Sequence, residues 1–455
     1  MTQSPHILLH EPSLSLNVDK LAQVLVNVDN ILIIQDLDGV CMGLVQDPLR
    51  RVIRREYVEA AALFSPHFYV LTNGEHIGAR GVNRIVEQAF GYDSYLKRQG
   101  RYLPGLAAGG VQWQDQFGQV VHPGVSDREL DFLHAVPQQI GDRLHQFFKH
   151  HPDELEPELL QTCIEAAVLN NIASPTANLN RFYEALRDRP QVYAKLQAEM
   201  QVLMTQLLEQ AQQQGLGDSF FVHYAPNLGR DEQGIEIMRP ATDDDSGTTD
   251  FQFMLRGALK EAGVLAILNH YYYQRTGSYP LGESFNARQA PHHLDDLVAL
   301  VKQTFDPLQM PVMIGVGDTV NSQVRQQDGR QMVSRGGSDR NFLYLIQTIG
   351  QAFHRGNIVT YVDSSQGEVK NRRAVQVQPA SESGDRPAKV LQGPCDPEDL
   401  DDPLTIDVVF AEGHDQYTAL FQKAAHIRHH NQKTARQHQG MAPNYWNWMG
   451  SAANA

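Results

Sequence analysis

Ile31-Leu-Ile-Ile-Gln35-Asp36-Leu37-Asp38-Gly39-Val40 is the stretch of this sequence that decides the fold. Its run of isoleucine and leucine predicts a buried parallel strand, and two aspartates and a glycine follow that strand directly. Open α/β sheets place ligands at the carboxyl ends of their strands, so these carboxylates indicate a site there. Because burying an unpaired carboxylate is costly, two of them at one strand end indicate a bound cation. The alternative from these residues alone is an acidic Asp-Gly turn without chemistry.

Composition limits the class of protein. A chain of 455 residues predicts more than one domain, and a net charge of −15 argues against nonspecific binding of nucleic acid. Three widely spaced cysteines, Cys41, Cys163 and Cys395, indicate a reducing compartment without structural disulfides. The sequence shows neither a signal-peptide pattern nor an apolar run long enough to span a bilayer, so we expect a cytoplasmic protein.

Strands and helices alternate along much of the chain. Residues 67–74 form a second apolar run that ends in small polar side chains, and a helical pattern follows it. Two later apolar runs, 311–318 and 357–363, each end in an aspartate. This alternation predicts a doubly wound parallel sheet, with all of these polar ends at one edge. Residues 106–121 predict a hairpin beside this core.

A different texture separates the two parts of the predicted core. Apolar residues at three- and four-residue steps from Val192 to Leu208 predict an amphipathic helix that packs into a core and ends near Gly215. Alternating residues at 219–224 and 234–240 predict short strands. We therefore expect an inserted α/β cap domain. The expected units are a first core part at 1–125, the cap at 126–242, a second core part at 243–430 and a disordered tail at 431–455.

The second core part is expected to begin with a helix over residues 251–264. Residues 364–402 are rich in proline, serine, glycine and charge, which predicts a long loop. The histidines near the tail lack the carboxylates and regular spacing of a metal site, so they fit a solvated tail better. These histidines are His426, His429, His430 and His438.

The polar strand ends match the needs of phosphoryl transfer. Asp36 would attack phosphorus and form an aspartyl-phosphate, while Asp38 would protonate the leaving alkoxide and then activate water. Thr72 and the amides after it would donate hydrogen bonds to the phosphoryl oxygens. Asp318, with Asp36 and the carbonyl of Asp38, would hold Mg²⁺, which prefers a few hard oxygens and water.

Three of these segments resemble motifs one, two and four of the haloacid-dehalogenase superfamily: Asp36-Leu-Asp38-Gly-Val, Leu71-Thr72-Asn73-Gly74 and Gly315-Val-Gly-Asp318-Thr. The second aspartate is typical of the phosphatases and sugar-phosphate mutases in that superfamily. The insert carries Glu236-Ile-Met-Arg239-Pro240 near its end, and it resembles the cap of sugar phosphatases related to trehalose- and sucrose-phosphate phosphatase. The resemblance implies a haloacid-dehalogenase-like parallel-sheet core with an inserted α/β cap.

Longer runs resemble the glucosylglycerol-3-phosphate phosphatase family. These runs are Tyr69 to Gly78, Gly81 to Gln88, Tyr102 to Trp113, Phe220 to Gly229 and Asp250 to Arg256. The resemblance implies Mg²⁺-dependent hydrolysis of glucosylglycerol 3-phosphate, a step of compatible-solute synthesis in salt acclimation. It implies a small phosphosugar and the synthase that makes it as partners, and neither a membrane nor a specific nucleic acid. The alternatives are a sucrose- or trehalose-phosphate phosphatase, a sugar-phosphate mutase and a non-catalytic sugar-phosphate sensor.

The sequence departs from the related phosphatases at two positions. Those proteins place a Lys-Gly pair just after the Glu-x-Arg-Pro strand, whereas Asp245-Ser-Gly-Thr248 stands here. Lys260 is our candidate for the missing phosphate-binding cation, and a solvated helix lysine is the alternative. The second acid expected soon after Asp318 is also absent. Asp339 is our candidate for this metal ligand, with a helix N-cap as the alternative.

Substrate contacts are expected from two segments. The residues after motif two that could face the sugar are Asn73, Gly74, Glu75, His76 and Arg80. Capping of the next helix is the alternative for Glu75 and His76. Glu236 and Arg239, on a cap strand, are expected from the resemblance to contact sugar hydroxyls or phosphate, and a cross-strand ion pair is the alternative.

Overall fold

The computed structural model describes residues 14–242, 245–327, 330–369, 372–381, 388–396 and 398–438. The α-helices of these ranges are α1 (Val18–Asn27), α2 (Arg55–Leu63), α3 (Val82–Ala89), α4 (Leu96–Gln99), α5 (Asp127–Lys149), α6 (Pro157–Ala167), α7 (Asn180–Ala185), α8 (Pro190–Gln213), α9 (Lys260–Thr276), α10 (Leu294–Thr304), α11 (Arg340–Ala352) and α12 (His414–His438).

The strands of the same ranges are β1 (Ile31–Gln35), β2 (Phe68–Leu71), β3 (Gly105–Ala107), β4 (Gln112–Gln114), β5 (Val120–Val121), β6 (Val168–Leu169), β7 (Thr176–Asn178), β8 (Phe220–Ala225), β9 (Asn227–Arg230), β10 (Glu236–Met238), β11 (Asp250–Leu255), β12 (Val312–Gly317), β13 (Asn321–Gln327), β14 (Arg330–Gly336), β15 (Ile358–Val362), β16 (Gln376–Gln378), β17 (Lys389–Gln392) and β18 (Val408–Phe410).

The core is an eight-stranded sheet in the order β18-β15-β12-β1-β2-β3-β4-β5. The first six strands are parallel, and β4 and β5 add an antiparallel edge. Side chains of β1 alternate between two apolar layers: Ile31 and Ile33 face the layer that contains α1, α2 and α12, while Leu32 and Ile34 face the layer that contains α9, α10 and α11. Helices on both faces explain the unbroken apolar run of β1. The predicted doubly wound parallel sheet is confirmed.

A second sheet, antiparallel and in the order β6-β7-β11-β8, lies between the two parts of the core sheet in sequence. We call residues 127–255, which contain this sheet and α5–α8, the cap. The cap has its own cluster of buried apolar side chains, which lies between one face of this sheet and the helices. The cap sheet includes β11, so it extends past the predicted domain boundary at residue 242.

The predicted helix over 251–264 is wrong in its first half. Residues 250–255 form β11, in which Phe251, Phe253 and Leu255 are fully buried on one face, while Asp250 and Gln252 lie on the other. This period of two is the pattern of a strand. Helix α9 begins only at Lys260.

Other local predictions have mixed outcomes. The amphipathic helix predicted before Gly215 is α8, and its apolar stripe is part of the cap core, as expected. The loop expected at 364–402 contains β16 and β17. Helix α12 carries all four of the tail histidines and continues to His438, so the first part of the predicted disordered tail is helical. Residues 439–455 lie outside the described residues.

Two absences apply to the described part of the chain. None of its helices is both long and apolar enough to cross a bilayer. Its three cysteines are free thiols, with Cys41 and Cys163 buried.

Candidate active site

Three carboxylates meet at the carboxyl edge of the core sheet. Asp36 follows β1, Asp318 follows the neighbouring strand β12, and Asp339 precedes α11. All three residues are buried, and one carboxylate oxygen from each lies within 4.8 Å of the others. The backbone N–H of Asp36 donates to the carbonyl of Val316 at 2.9 Å, which fixes the two strand ends side by side. We call Asp36, Asp318 and Asp339 the acidic cluster.

Lys260, the first residue of α9, enters the acidic cluster. Its Nζ lies 2.8 Å from Oδ2 of Asp36 and 2.6 Å from Oδ1 of Asp339. Burial lowers the pKa of the lysine, but the two carboxylates outweigh burial and raise it, so the ammonium keeps its proton. Only 4% of Lys260 is exposed, which excludes the alternative of a solvated helix lysine.

Asp339 is held in the acidic cluster by the backbone of the opposite strand end. Its Oδ2 accepts hydrogen bonds from the N–H groups of Asp318 at 2.9 Å and Thr319 at 3.0 Å. The residue stands at the N-cap position of α11, yet its side chain makes no capping hydrogen bond there. A Cβ at Gly317 would lie 2.7 Å from this carboxylate, so the strand approaches Asp339 more closely than a side chain allows.

The charges of the site are unbalanced. Burial raises the pKa of Asp36; Lys260 opposes this shift, whereas Asp339 and Asp318 add to it. Arg372 contributes a second cation, with its Nε 3.4 Å from Oδ2 of Asp318. Burial and Asp339 also raise the pKa of Asp318, against Arg372, so the three carboxyl groups resist carrying their charges together. Clustered buried carboxyl oxygens are ligands that suit a hard divalent cation such as Mg²⁺, which would relieve this repulsion.

Asp38 lies next to the acidic cluster, but its carboxylate is not part of it. Oδ2 of Asp38 pairs with the guanidinium of Arg51 at 2.9 Å, and 32% of the aspartate side chain is exposed. Gly39 then carries the chain past Asp318: its φ is +79°, and a Cβ there would lie 2.2 Å from a carboxylate oxygen of Asp318. The sequence interpretation missed Arg51, although it stands in the Arg-rich loop after the acidic strand end.

A cavity of about 170 Å³ lies between this edge of the sheet and the cap. From the core it is lined by Asp36, Asp38, Thr72, Arg51 and Arg372, among others. Four of the residues expected to contact substrate also line it, namely Asn73, Gly74, Glu75 and Arg80. The cap contributes a polar set that the sequence interpretation missed, consisting of Asn171, Thr176, Asn178, Asn180, Asp250 and Gln252.

Glu75 ties the loop after β2 to the cap. Its carboxylate accepts hydrogen bonds from three consecutive backbone N–H groups, those of Ile172 at 2.9 Å, Ala173 at 2.6 Å and Ser174 at 3.0 Å. The hydroxyl of Ser174 donates a further bond at 3.1 Å. Burial raises the pKa of Glu75, and these four hydrogen bonds oppose the shift. The carboxylate is therefore engaged by the cap backbone, a role that neither sequence alternative included.

The positions of His76 and Arg80 differ from each other. His76 is fully buried, with Nε2 3.1 Å from the carbonyl of Gly105, and burial lowers its pKa to about 4. It does not line the cavity, so the expected sugar contact does not fit its position. Its side chain makes no cap on α3, but the backbone carbonyls of Glu75 and His76 accept hydrogen bonds from the N–H groups of Val82 and Asn83 at 2.8 Å, so both residues cap that helix through the main chain. Arg80 donates to the carbonyl of Glu165 at 2.7 Å, which makes it a second tie between core and cap.

Glu236 and Arg239 do not line this cavity: Arg239 lines a neighbouring space beside Asp318, and Glu236 lines another beside Lys260, so their contact with sugar or phosphate stays a prediction. Glu236 is buried and accepts hydrogen bonds from His223 at 2.9 Å and from Asn227 at 3.0 Å. Arg239 forms an ion pair with Asp245. Glu236 also pairs with its cross-strand neighbour Arg230 at 3.6 Å, so the cross-strand ion-pair alternative describes Glu236, whereas Asp245, the partner of Arg239, lies in no strand.

The fold and the site together define a class: a capped α/β enzyme whose carboxylates and lysine meet at the carboxyl edge of a parallel sheet. A comparison with known families narrows this class. The profile of the glucosylglycerol-phosphate phosphatase family matches residues 30–425, a span that includes the whole acidic cluster and Lys260. The chain belongs to this family.

A relative of known function agrees with that assignment. The chain is 58% identical over 422 residues to a glucosylglycerol-phosphate phosphatase of Synechocystis sp., and the match covers 93% of this chain and 99% of the relative. Among solved structures, the C-terminal domain of C. albicans trehalose-6-phosphate phosphatase is similar with 11% identity, a TM-score of 0.43, and coverage of 91% of this chain and 99% of that one. An Aspergillus fumigatus trehalose-6-phosphate phosphatase gives 10% identity, the same coverage and a TM-score of 0.37.

Proposed function

We propose that this protein is a phosphatase that hydrolyses glucosylglycerol 3-phosphate to glucosylglycerol and phosphate. The observation that carries the substrate is the match to a glucosylglycerol-phosphate phosphatase over 99% of that relative's length. The observation that supports the chemistry is the contact of Lys260 with Asp36 and Asp339 at the edge of the sheet. Neither depends on the other, because one comes from the whole sequence and the other from a few atoms.

In this proposal Asp36 is the nucleophile. Its carboxylate attacks phosphorus, the bond from phosphorus to the ester oxygen breaks, and an aspartyl-phosphate forms. Asp38 donates its proton to the leaving alkoxide, then takes a proton from the water that attacks the intermediate and releases phosphate. The exposure of Asp38 to the cavity suits this role, and Arg51 holds its carboxylate in place.

The remaining core residues of the site bind and orient the phosphoryl group. Lys260 neutralises charge on the nucleophile and on the transferred oxygens, while Thr72 and the amides of Asn73 and Gly74 donate hydrogen bonds to them. Asp318 and Asp339, with Asp36 and the carbonyl of Asp38, would hold Mg²⁺. The ion, when bound, supplies positive charge that stabilises the phosphoryl oxygens in the transition state.

The cap supplies the enclosure of the reaction. Glu75 and Arg80 bind it to the loop that follows Thr72, so the phosphate site and the cap are linked by one short segment. A closed cap excludes bulk water until the alcohol has left. The wider proposal is that the enzyme acts in the cytoplasm, in compatible-solute synthesis during salt acclimation, with the synthase that makes its substrate as a partner.

The test is phosphate release from a panel of glucosylglycerol, sucrose and trehalose phosphates, with Mg²⁺ and with a chelator. We expect the highest kcat/KM for glucosylglycerol 3-phosphate and loss of activity with the chelator. A higher kcat/KM for sucrose or trehalose phosphate would reassign the substrate. Isomerised sugar phosphate without released phosphate would instead identify a mutase.

A variant separates the enzyme from a sensor. Asp36→Asn removes the nucleophilic oxygen but keeps the size of the side chain, so we expect a folded protein without turnover. Wild type that binds glucosylglycerol 3-phosphate yet never releases phosphate would support the sensor. Unchanged turnover in Asp36→Asn would refute the proposed nucleophile.

A further inference from the structure

The cap sheet has two different faces. On one face the side chains are apolar, such as Phe251 and Phe253, and they form the cap core with α5–α8. On the opposite face the neighbouring strands β7 and β11 carry Asn178, Asp250 and Gln252, and all three line the cavity that contains Asp36. The polar face of the cap therefore lies across the cavity from the proposed nucleophile.

Hydrogen bonds hold this polar face in a fixed arrangement. Nδ2 of Asn178 donates to Oδ1 of Asp250 at 2.8 Å, and the hydroxyl of Thr249 donates to Oδ2 at 2.9 Å. Oδ1 of Asn178 in turn accepts a bond from the backbone N–H of Asn180 at 3.1 Å. A carboxylate has about four lone-pair positions, so Asp250 keeps acceptor capacity for hydroxyl groups in the cavity.

Gln252 points to a missing partner. Its Oε1 is buried and has no hydrogen-bond partner among the residues that the structure describes. A buried polar atom without a partner is unfavourable by about 1–3 kcal/mol, and such atoms in folded proteins call for an explanation. Gln252 lines the cavity, so a rotation of its side chain would bring this oxygen to a ligand hydroxyl.

We propose that Asp250 and Gln252 recognise hydroxyl groups of the alcohol part of the substrate and thereby determine its specificity. This inference rests on the proposed function, and it places recognition on β11 instead of the Glu236 and Arg239 segment that the family resemblance suggested. The ligand class is a polyhydroxylated alcohol, such as a glycosylated polyol. None of the described residues that line the cavity is aromatic, so recognition relies on hydrogen bonds and not on stacking of a sugar ring.

Two variants test the inference. In Asp250→Asn the new amide keeps an acceptor for Asn178, and the hydroxyl of Thr249 can rotate to accept, so the cap should fold normally. Gln252→Ala removes the unpartnered oxygen. We expect each variant to lower kcat/KM for glucosylglycerol 3-phosphate by about ten-fold to a hundred-fold, the range for one hydrogen bond to a charged or buried group. The inhibition constant of inorganic phosphate, which has no alcohol part, should change less than about two-fold.

The matched control is Gln213→Ala, which removes the same side chain from an exposed position at the end of α8 in the cap. This control should leave both kcat/KM and the inhibition constant of inorganic phosphate unchanged. Unaltered kcat/KM in Asp250→Asn and Gln252→Ala would overturn the inference. Equal changes in kcat/KM and in phosphate inhibition would also overturn it, because they would indicate a disturbed phosphate site.

The proposed function can fail separately. If wild type prefers another ester of the panel, kcat/KM of wild type and variants is measured with that ester. A lower kcat/KM in the variants then still supports recognition by β11. If wild type releases no phosphate at all, calorimetric binding of glucosylglycerol 3-phosphate takes the place of kcat/KM. Equal affinity of wild type and both variants would then overturn the inference.

Discussion

Replacing Glu75 by glutamine tests the tie between the cap and the loop that follows Thr72. The native carboxylate accepts the backbone N–H groups of Ile172, Ala173 and Ser174. A glutamine keeps one oxygen, which can accept from Ala173 and Ser174. Its NH₂ group then faces the N–H of Ile172, donor against donor.

The magnitude follows from these contacts. One unsatisfied buried N–H costs about 1–3 kcal/mol, and the three hydrogen bonds to the retained oxygen, from two backbone N–H groups and the Ser174 hydroxyl, each weaken by up to about 1 kcal/mol when their acceptor loses its charge. Burial raises the pKa of Glu75, so the neutral glutamine recovers part of the cost of removing a charge from water. The net expectation is about 2 kcal/mol, or roughly a 30-fold weaker docking of the cap on the core.

Amide hydrogen exchange and steady-state kinetics measure this effect. Exchange at Ile172, Ala173 and Ser174 should accelerate in Glu75→Gln, while the amides of β11 stay protected. KM for glucosylglycerol 3-phosphate should rise more than kcat falls, since bound substrate helps to close the cap. Glu59→Gln, a change at a partly exposed side chain on α2, is the control.

Two results would refute this reasoning. Unchanged exchange at the three amides would show that the carboxylate does not restrain the cap loop. A fall in kcat with unchanged KM would assign Glu75 to the chemical step.

Three further predictions address Lys260 in the acidic cluster, Glu129 in the first turn of α5 and the loop after β1. Lys260→Met should destabilise the protein by about 3–5 kcal/mol and lower kcat at least about 100-fold, because it leaves buried carboxylates unpaired. Lys302→Met, at an exposed position, is the control and should change neither quantity. Thermal melts measure the stability, and steady-state kinetics measure kcat. Burial raises the pKa of Glu129, but hydrogen bonds from Arg288 and Ser126 outweigh burial and lower this pKa to about 2. The stability that ionised Glu129 contributes is therefore complete above its unfolded pKa near 4.5 and is lost as the pH falls towards 2. In denaturant titrations Glu129→Gln should destabilise the protein by about 2 kcal/mol at pH 7, and this difference should shrink below pH 4.5. A pH-independent difference would contradict this prediction. Gly39→Ala places a methyl group against Asp318 and should lower kcat about 100-fold, and full activity would show that the loop can move aside.

The parallel core was predictable because its signal is local and strong. The apolar run of β1 and the aspartate after it hold the two properties that decide the assignment, burial on both faces and a polar end. The strand β11 was not predictable, because its apolar residues Phe251, Phe253 and Leu255 stand close in sequence to the apolar residues at the start of α9, and the two segments read as one helix. Only the antiparallel partners β7 and β8, distant in the chain, show that the segment is extended.

The site was predictable where a residue stands at a strand end. Asp36 and Asp318 met as expected, and Lys260 and Asp339, chosen only as substitutes for absent motif residues, joined them. The contacts of Glu75 with the cap backbone were not predictable, because backbone N–H groups leave no mark in the sequence. Arg372 was missed because it lies in a stretch whose composition indicated a loop.

The hairpin of β13 and β14 has a consequence for exchanging parts between related proteins. It occupies the chain between Asp318 and Asp339, yet it touches the cap: the hydroxyl of Ser334 donates to the carbonyl of Leu228 at 2.7 Å. A chimaera that received residues 127–255 from a relative would therefore meet a hairpin shaped for the original cap. Transplanting both segments together is the design that respects this shared surface, even though they are separated by more than sixty residues of sequence.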